Sequence, residues 1–200
     1  MNLFLASTNP GKKKECEHFF SYFYPQSSLH LQSPQDLSEP IEIVEDALSF
    51  EGNALKKALS YWKRLEIPCL ADDSGLVVPA LNGQPGIYSA RYAGPEASDK
   101  ENNQKLIEQL RSKNLLGSPA FYVCAMVLIW KDGSILSSKE TCEGVIHENP
   151  QGSEGFGYDP HFYLPDQGKT MAEITREKKN TLSHRAKALE ALGQKIRQFL

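Results

Sequence analysis

Residues 121–142 read FYVCAMVLIWKDGSILSSKETC, and their pattern sets the fold class. Phe121 to Trp130 is almost wholly apolar, with β-branched and aromatic side chains throughout. That is how a strand buried on both faces reads. Asp132-Gly133 supplies hairpin-turn chemistry, and Ile135 to Cys142 then returns as a second strand. A central strand with a hairpin partner predicts a sheet, and the flanking segments predict what covers it.

Upstream, Ser98-Asp99-Lys100-Glu101 has the capping-box spacing that opens a helix, with Leu106, Ile107 and Leu110 as its buried face. Pro68 to Ala71 reads as a short buried strand entering Asp72-Asp73-Ser74-Gly75, after which Leu76 to Val78 resumes the apolar run. Phe50 to Leu65 predicts a helix capped by Ser49. Phe50, Ala54, Ala58 and Trp62 recur every fourth position, with Leu55 and Leu59 alongside. The chain starts with a strand, Asn2 to Ala6, then turn chemistry, then a helix from about Lys12 to Phe20. Gln26 to Pro40 is loop-like, with one short strand around Leu29 to Leu31. A last helix runs from about Ser183 to Phe199, with Leu182, Ala186, Leu189, Leu192, Ile196 and Phe199 as its stripe. Helices interleaved with strands, plus one hairpin, give an α/β fold with a mixed sheet.

The chain has 200 residues, 22 Lys+Arg and 25 Asp+Glu, for a net charge of -3; 40% of residues are hydrophobic. That balance excludes global disorder. Ala120 to Trp130 is the longest apolar run, well short of the roughly 20 residues a membrane helix needs, so no membrane partner is expected. The N-terminal apolar run is too short for a secretory signal, and a cytoplasmic location is expected. Slight acidity disfavours general duplex binding. Cys16, Cys69, Cys124 and Cys142 form no C-x-x-C pair and read as buried thiols in a reducing compartment. The five histidines show no zinc spacing.

Five polar constellations remain. Ser7-Thr8-Asn9-Pro10-Gly11-Lys12 joins a strand to a helix start, where backbone N–H groups and a lysine suit an anion; an ordinary capped turn reads the same. Asp72-Asp73 is an acidic pair in an apolar setting, costly unless a cation or donors offset it. Magnesium takes such carboxylates, and an Asx-turn or cap is the alternative. Strand neighbours point to opposite faces, so only one of the pair should face a given site. Glu42, Glu45 and Asp46 precede the Phe50 helix, either as dipole-complementing surface charges or as a second metal-binding position. Gly155-Phe156-Gly157-Tyr158-Asp159-Pro160 lets backbone approach a flat ligand, with Phe156 to stack and Asp159 to accept from ring N–H groups; a turn with a core aromatic competes. Arg176 to Lys187 places Lys179, Arg185 and other cations around Ser183-His184-Arg185 at a helix start. That placement makes sense if an anion binds between them.

Taken in order, Ser7–Lys12, Phe50-x-x-Asn53-Ala54, Ala71-Asp72-Asp73-Ser74-Gly75-Leu76, Pro85-Gly86-Ile87-Tyr88-Ser89-Ala90-Arg91, Gly155–Pro160 and Leu182-Ser183-His184-Arg185 resemble the Ham1/RdgB-type inosine triphosphate pyrophosphatase family. The resemblance spans nearly the whole chain. It implies an elongated mixed sheet flanked by helices, forming one domain (1–200) with two lobes, a central cleft and no linker. It further implies a homodimer and Mg2+-dependent hydrolysis of ITP, dITP and XTP to the monophosphate and pyrophosphate. By motif, Asp73 is the catalytic acid/base and a metal ligand. Glu45 is the other ligand, with Asp46 as the alternative. Ser7, Thr8, Asn9, Pro10, Gly11, Lys12 and Ser74 are triphosphate contacts; Phe156, Gly157, Tyr158, Asp159, Lys179, His184 and Arg185 are base and phosphate contacts. The rival expectations are a pyrophosphatase for other modified nucleotides and a nucleic-acid or nucleotide-binding module.

Overall fold

A computed structural model describes residues 2–24, 30–39 and 41–197. In chain order the elements are β1 (Asn2–Leu5), α1 (Pro10–Phe23), β2 (His30–Gln32), α2 (Phe50–Leu65), β3 (Cys69–Val77), α3 (Asp99–Ser112), β4 (Pro119–Ile129), β5 (Ile135–Ile146), β6 (Phe162–Leu164), β7 (Lys169–Thr170), α4 (Arg176–Leu182) and α5 (His184–Ile196). The strands form one sheet in the order β2-β1-β3-β4-β5-β6-β7. It is mixed: β1 pairs parallel with β2 and β3, while β5–β6 and β6–β7 are antiparallel. The apolar run read as a central strand is β4, fourth of the seven and buried along nearly its whole length. Its hairpin closes as expected: the Trp130 N–H donates to the Ser134 carbonyl, and Gly133 sits at φ +84° in the turn.

The chain divides into two compact units. The first comprises Met1–Asp73, Cys124–Glu140 and Arg185–Leu200; the second comprises Ser74–Val123 and Thr141–His184. In the first unit the period-two alternation of strands sorts two cores. Leu3, Leu5, Leu70, Cys124, Met126 and Leu128 pack against α1 and α5. Phe4, Cys69, Ala71, Val127 and Ile129 pack on the other face against α2. The second unit has a single core in which Leu106, Ile107 and Leu110 of α3 meet Leu76, Tyr122, Ile146 and Phe162.

Local signals placed several ends well. Helix α2 has the expected limits, with Ser49 Oγ accepting from the Gly52 N–H. Helix α3 opens with the full Ser98/Glu101 capping box. Other expectations need correction. Helix α1 starts at Pro10 rather than Lys12, because Pro suits the first helical position and Asn9 caps it. The buried stripe of α2 is rotated: Asn53, Lys57 and Tyr61 lie inside with Ala54 and Ala58, while Leu55 is exposed. Strand β3 does not stop at the acidic pair but runs unbroken through Asp72-Asp73-Ser74-Gly75. The last helix is two helices, α4 and α5, separated by an extended Ser183. Leu29 and Phe199, included in the expected strand and stripe, lie outside the described residues.

Glycine is required in β5. A Cβ at Gly144 would lie 2.6 Å from both the Phe162 ring and the Tyr163 carbonyl oxygen, where β6 pairs. Gly144→Ala should therefore destabilise the protein by about 1–3 kcal/mol. Thermal unfolding should register a drop of several degrees, and an unchanged Tm would show that the pair yields instead.

Candidate functional site

The acidic pair sits on an unbroken strand, so its two carboxylates face opposite sides of the sheet. Asp72 follows Leu70 toward α1 and α5; Asp73 follows Cys69 and Ala71 toward α2. The two residues therefore enter different chemistry.

Asp72 is 2% exposed. Its Oδ2 receives the Lys12 ammonium at 2.8 Å and the Arg185 Nη2 at 3.1 Å, with Arg185 Nε at 3.4 Å. Arg185, itself 1% exposed, extends Nη1 to Glu15 Oε2 at 2.7 Å. Two cations and two anions from α1, β3 and α5 thus balance in the interior of the first unit. Burial alone would raise the Asp72 pKa, but Lys12, Arg185 and Lys57 outweigh it and hold the carboxyl well below the ordinary range. Burial likewise opposes the Arg185 charge, yet Asp72 and Glu15 raise its pKa further. The same burial pushes the neighbouring Cys124 thiol up to about 12, so it stays protonated and inert.

The β1–α1 junction holds Ser7, Thr8, Asn9, Pro10, Gly11 and Lys12 together as expected. Its amides are partly engaged already. Asn9 Oδ1 accepts from the Gly11 N–H at 2.8 Å and the Lys12 N–H at 3.2 Å, and Gln35 donates to the Thr8 carbonyl.

Asp73 is also buried. Its Oδ2 accepts from Asn53 Nδ2 at 3.0 Å, and Lys57 Nζ lies 3.7 Å from Oδ1. The same ammonium is 3.0 Å from Glu45 Oε2. Burial is the main reason the Asp73 carboxyl is raised above its ordinary pKa, with Glu45 adding to the shift and Lys57 and Asn53 opposing it. Asn53 also fixes the acidic segment, because its Oδ1 accepts from the Ala47 N–H. Between Ile41 and Leu48 exposure alternates. Ile41, Ile43, Glu45 and Ala47 turn inward, while Glu42, Val44, Asp46 and Leu48 turn outward. Glu45 therefore reaches Lys57 beside Asp73, and Asp46 pairs with Lys56 at the surface.

In the second unit the Gly155–Pro160 turn wraps around Asp159, which is 3% exposed. Asp159 Oδ2 accepts from the Phe156 N–H at 3.0 Å and from Lys179 Nζ at 2.8 Å; Oδ1 accepts from the Tyr122 hydroxyl at 3.0 Å. Lys179 Nζ also lies 4.8 Å from the Phe156 ring centroid. Gly155 is at φ +83°, and a Cβ there would fall 2.1 Å from Asp159 Oδ2, so the turn requires glycine. The N-terminal turns of α3 pin the next residue: the Gly157 N–H donates to Asp99, and Asn103 donates to the Gly157 carbonyl. Tyr158 is buried and its hydroxyl donates to the Ser89 carbonyl. His184 is buried with its ring stacked on Tyr122. Ser74 follows Asp73 along β3, and Gly75 beside it sits so close to Gly86 and Ser89 that a Cβ would collide with both.

Within each unit the structure assembles the residues singled out from sequence. It also adds Glu15, Lys57 and Tyr122, which that reading missed. Lys57 left a trace, since a lysine four residues after Asn53 falls on a face that is otherwise apolar. The cations of the basic segment do meet anions, but those are the protein's own carboxylates: Asp159 for Lys179, Asp72 and Glu15 for Arg185.

An open mixed sheet carrying carboxylates on both pleats, each matched to buried lysine or arginine, defines an α/β protein with a polyanion-compatible site. A family model described as the Ham1 family matches residues 3–195, and the chain belongs to that family. A dITP/XTP pyrophosphatase of Geobacillus kaustophilus is 40% identical over 98% of this chain and 94% of its own length. One from Exiguobacterium sp. is 42% identical over 100% and 99%. Among solved structures, the Staphylococcus aureus Ham1 protein superposes with a TM-score of 0.86 at 36% identity, covering 100% of both chains. A HAM1 protein from Coxiella burnetii gives 0.87 at 36%, covering 99% of each. No helix among the described residues is long and apolar enough to cross a membrane.

Removing the Asp72 charge should strand Lys12 and Arg185 in the interior, so Asp72→Asn should cost about 3–5 kcal/mol in urea unfolding. The folded carboxyl holds its proton less tightly than the unfolded one. Its stabilisation is therefore full above the unfolded pKa near about 4 and fades as pH falls toward the folded value. The gap between wild type and variant should stay constant from neutral pH to about 5 and shrink below about 4. A gap that widens on acidification contradicts this account.

Proposed function

We propose that this protein hydrolyses deaminated purine nucleoside triphosphates, namely ITP, dITP and XTP, to the monophosphate and pyrophosphate. The observation that carries the reading is the pairing of Asp73 with Glu45 around one cation, on the strand that also bears the Lys12–Asp72–Arg185 cluster. Family membership and the printed names of the relatives support the substrate class.

The donor set fits magnesium. Two carboxylates from separate segments approach a single ammonium at 3.0 and 3.7 Å, which is a hard, oxygen-lined place for a cation. Asp73 and Glu45 would hold Mg2+, which when bound neutralises phosphate oxygens and acidifies water. The chain's own groups do the rest. Asn53 orients Asp73, whose raised pKa suits it to take a proton from the attacking water. The phosphoanhydride between the α- and β-phosphates breaks, and pyrophosphate leaves with the bonding electrons. Lys12 and the start of α1 supply positive potential for the triphosphate. Phe156 offers a face to the base, and Lys179 and His184 supply donors for a 6-oxo group that adenine lacks. Four buried free thiols suit a reducing cytoplasm. Homodimerisation belongs to the same proposal.

Pyrophosphate release from ITP, dITP, XTP, GTP and ATP, with and without Mg2+, tests the reading. Expected is Mg2+-dependent release favouring the deaminated purines over ATP; equal rates on ITP and ATP would refute it. Asp73→Asn should lower turnover about 10²–10⁴-fold while keeping a cooperative melt.

A further inference from the structure

One side chain of β4 reaches two of the residues assigned to the base. Tyr122 donates its hydroxyl to Asp159 Oδ1 at 3.0 Å. Its ring stacks on His184, with centroids 4.6 Å apart and planes 13° from parallel. The two contacts use chemically separable parts of the same residue. Oδ2 of Asp159 is already committed to Lys179 and the Phe156 N–H. The Tyr122 hydroxyl therefore fixes the remaining oxygen and with it the plane of the carboxylate.

We propose that Tyr122 is a positioning residue that sets base specificity: its hydroxyl holds Asp159 as an acceptor toward the purine, and its ring sets the His184 imidazole. The inference rests on the reading of the Phe156–Asp159 turn, Lys179 and His184 as the base site. A 6-oxo purine carries a proton on N1, whereas adenine presents a bare N1 acceptor. An ionised Asp159 accepts from the first and offers no proton to the second. The Tyr122 hydroxyl stabilises that ionised form by donating to it. Without the hydroxyl, the carboxyl gains freedom to turn and to take up a proton that adenine N1 would accept. Discrimination then falls, because it depends on leaving the wrong base with an unpaired group.

The experiment compares ITP and ATP hydrolysis by wild type, Tyr122→Phe, Asp159→Asn and the double variant. Titration calorimetry of inosine monophosphate without metal gives a second readout. Wild-type preference for ITP tests the base-site reading itself; if it is missing, that reading and this inference fall together. Given that preference, the variants test Tyr122 alone. Tyr122→Phe keeps the ring and should melt within a few degrees of wild type. It should raise KM for ITP about tenfold with a smaller change in kcat, and lower the ITP:ATP ratio of kcat/KM about tenfold. Inosine monophosphate should bind more weakly by a similar factor. In the Asp159→Asn background the same substitution should change the ratio by less than about twofold, because the two residues act as a unit. Three outcomes overturn the proposal: a wild-type KM and ratio in Tyr122→Phe, an equal loss on both nucleotides, or full additivity with Asp159→Asn.

Discussion

A single carboxylate oxygen organises the first unit. Asp72 Oδ2 lies against Lys12 from α1 and Arg185 from α5, and both are nearly or wholly out of water. Charges in such surroundings cost much unless each is answered, and here Glu15 completes the balance. The geometry also explains why β3 stays extended through two consecutive aspartates. Neither carboxylate needs a turn to escape the core, because each meets cations or donors on its own side. Two helices and the strand are thereby joined by charge as well as by packing.

The second unit uses the same device on a smaller scale. Asp159 binds Lys179, a backbone N–H of its own turn and a tyrosine hydroxyl, and so folds the loop around itself. Lys179 then stands over the face of Phe156. A buried acid thus acts as a mould for a recognition loop, and the glycine at 155 leaves room for it.

What the sequence made legible was local. The β4–β5 hairpin, the Ser49 cap and the Ser98 capping box are decided by groups within a few residues of one another, so spacing alone reveals them. The opposite orientation of Asp72 and Asp73 followed from the pleat. The partners of those acids did not, because they lie far along the chain: Arg185 is 113 residues from Asp72 and 170 from Glu15. The rotation of the α2 stripe was hidden for a related reason. Asn53 and Lys57 look like surface residues until the carboxylates that receive them are placed. The break at Ser183 was masked because Leu182 continues the apolar spacing of the helix that follows.

The unbroken pleat of β3 has a consequence for how this gene can vary. Duplicating or losing one codon between Ala71 and Gly75 would turn the strand by half a pleat and exchange the environments of its two acids. The one made for charge balance would face α2, and the one poised for proton transfer would face the arginine. Substitution can be tried there one position at a time, but length cannot drift.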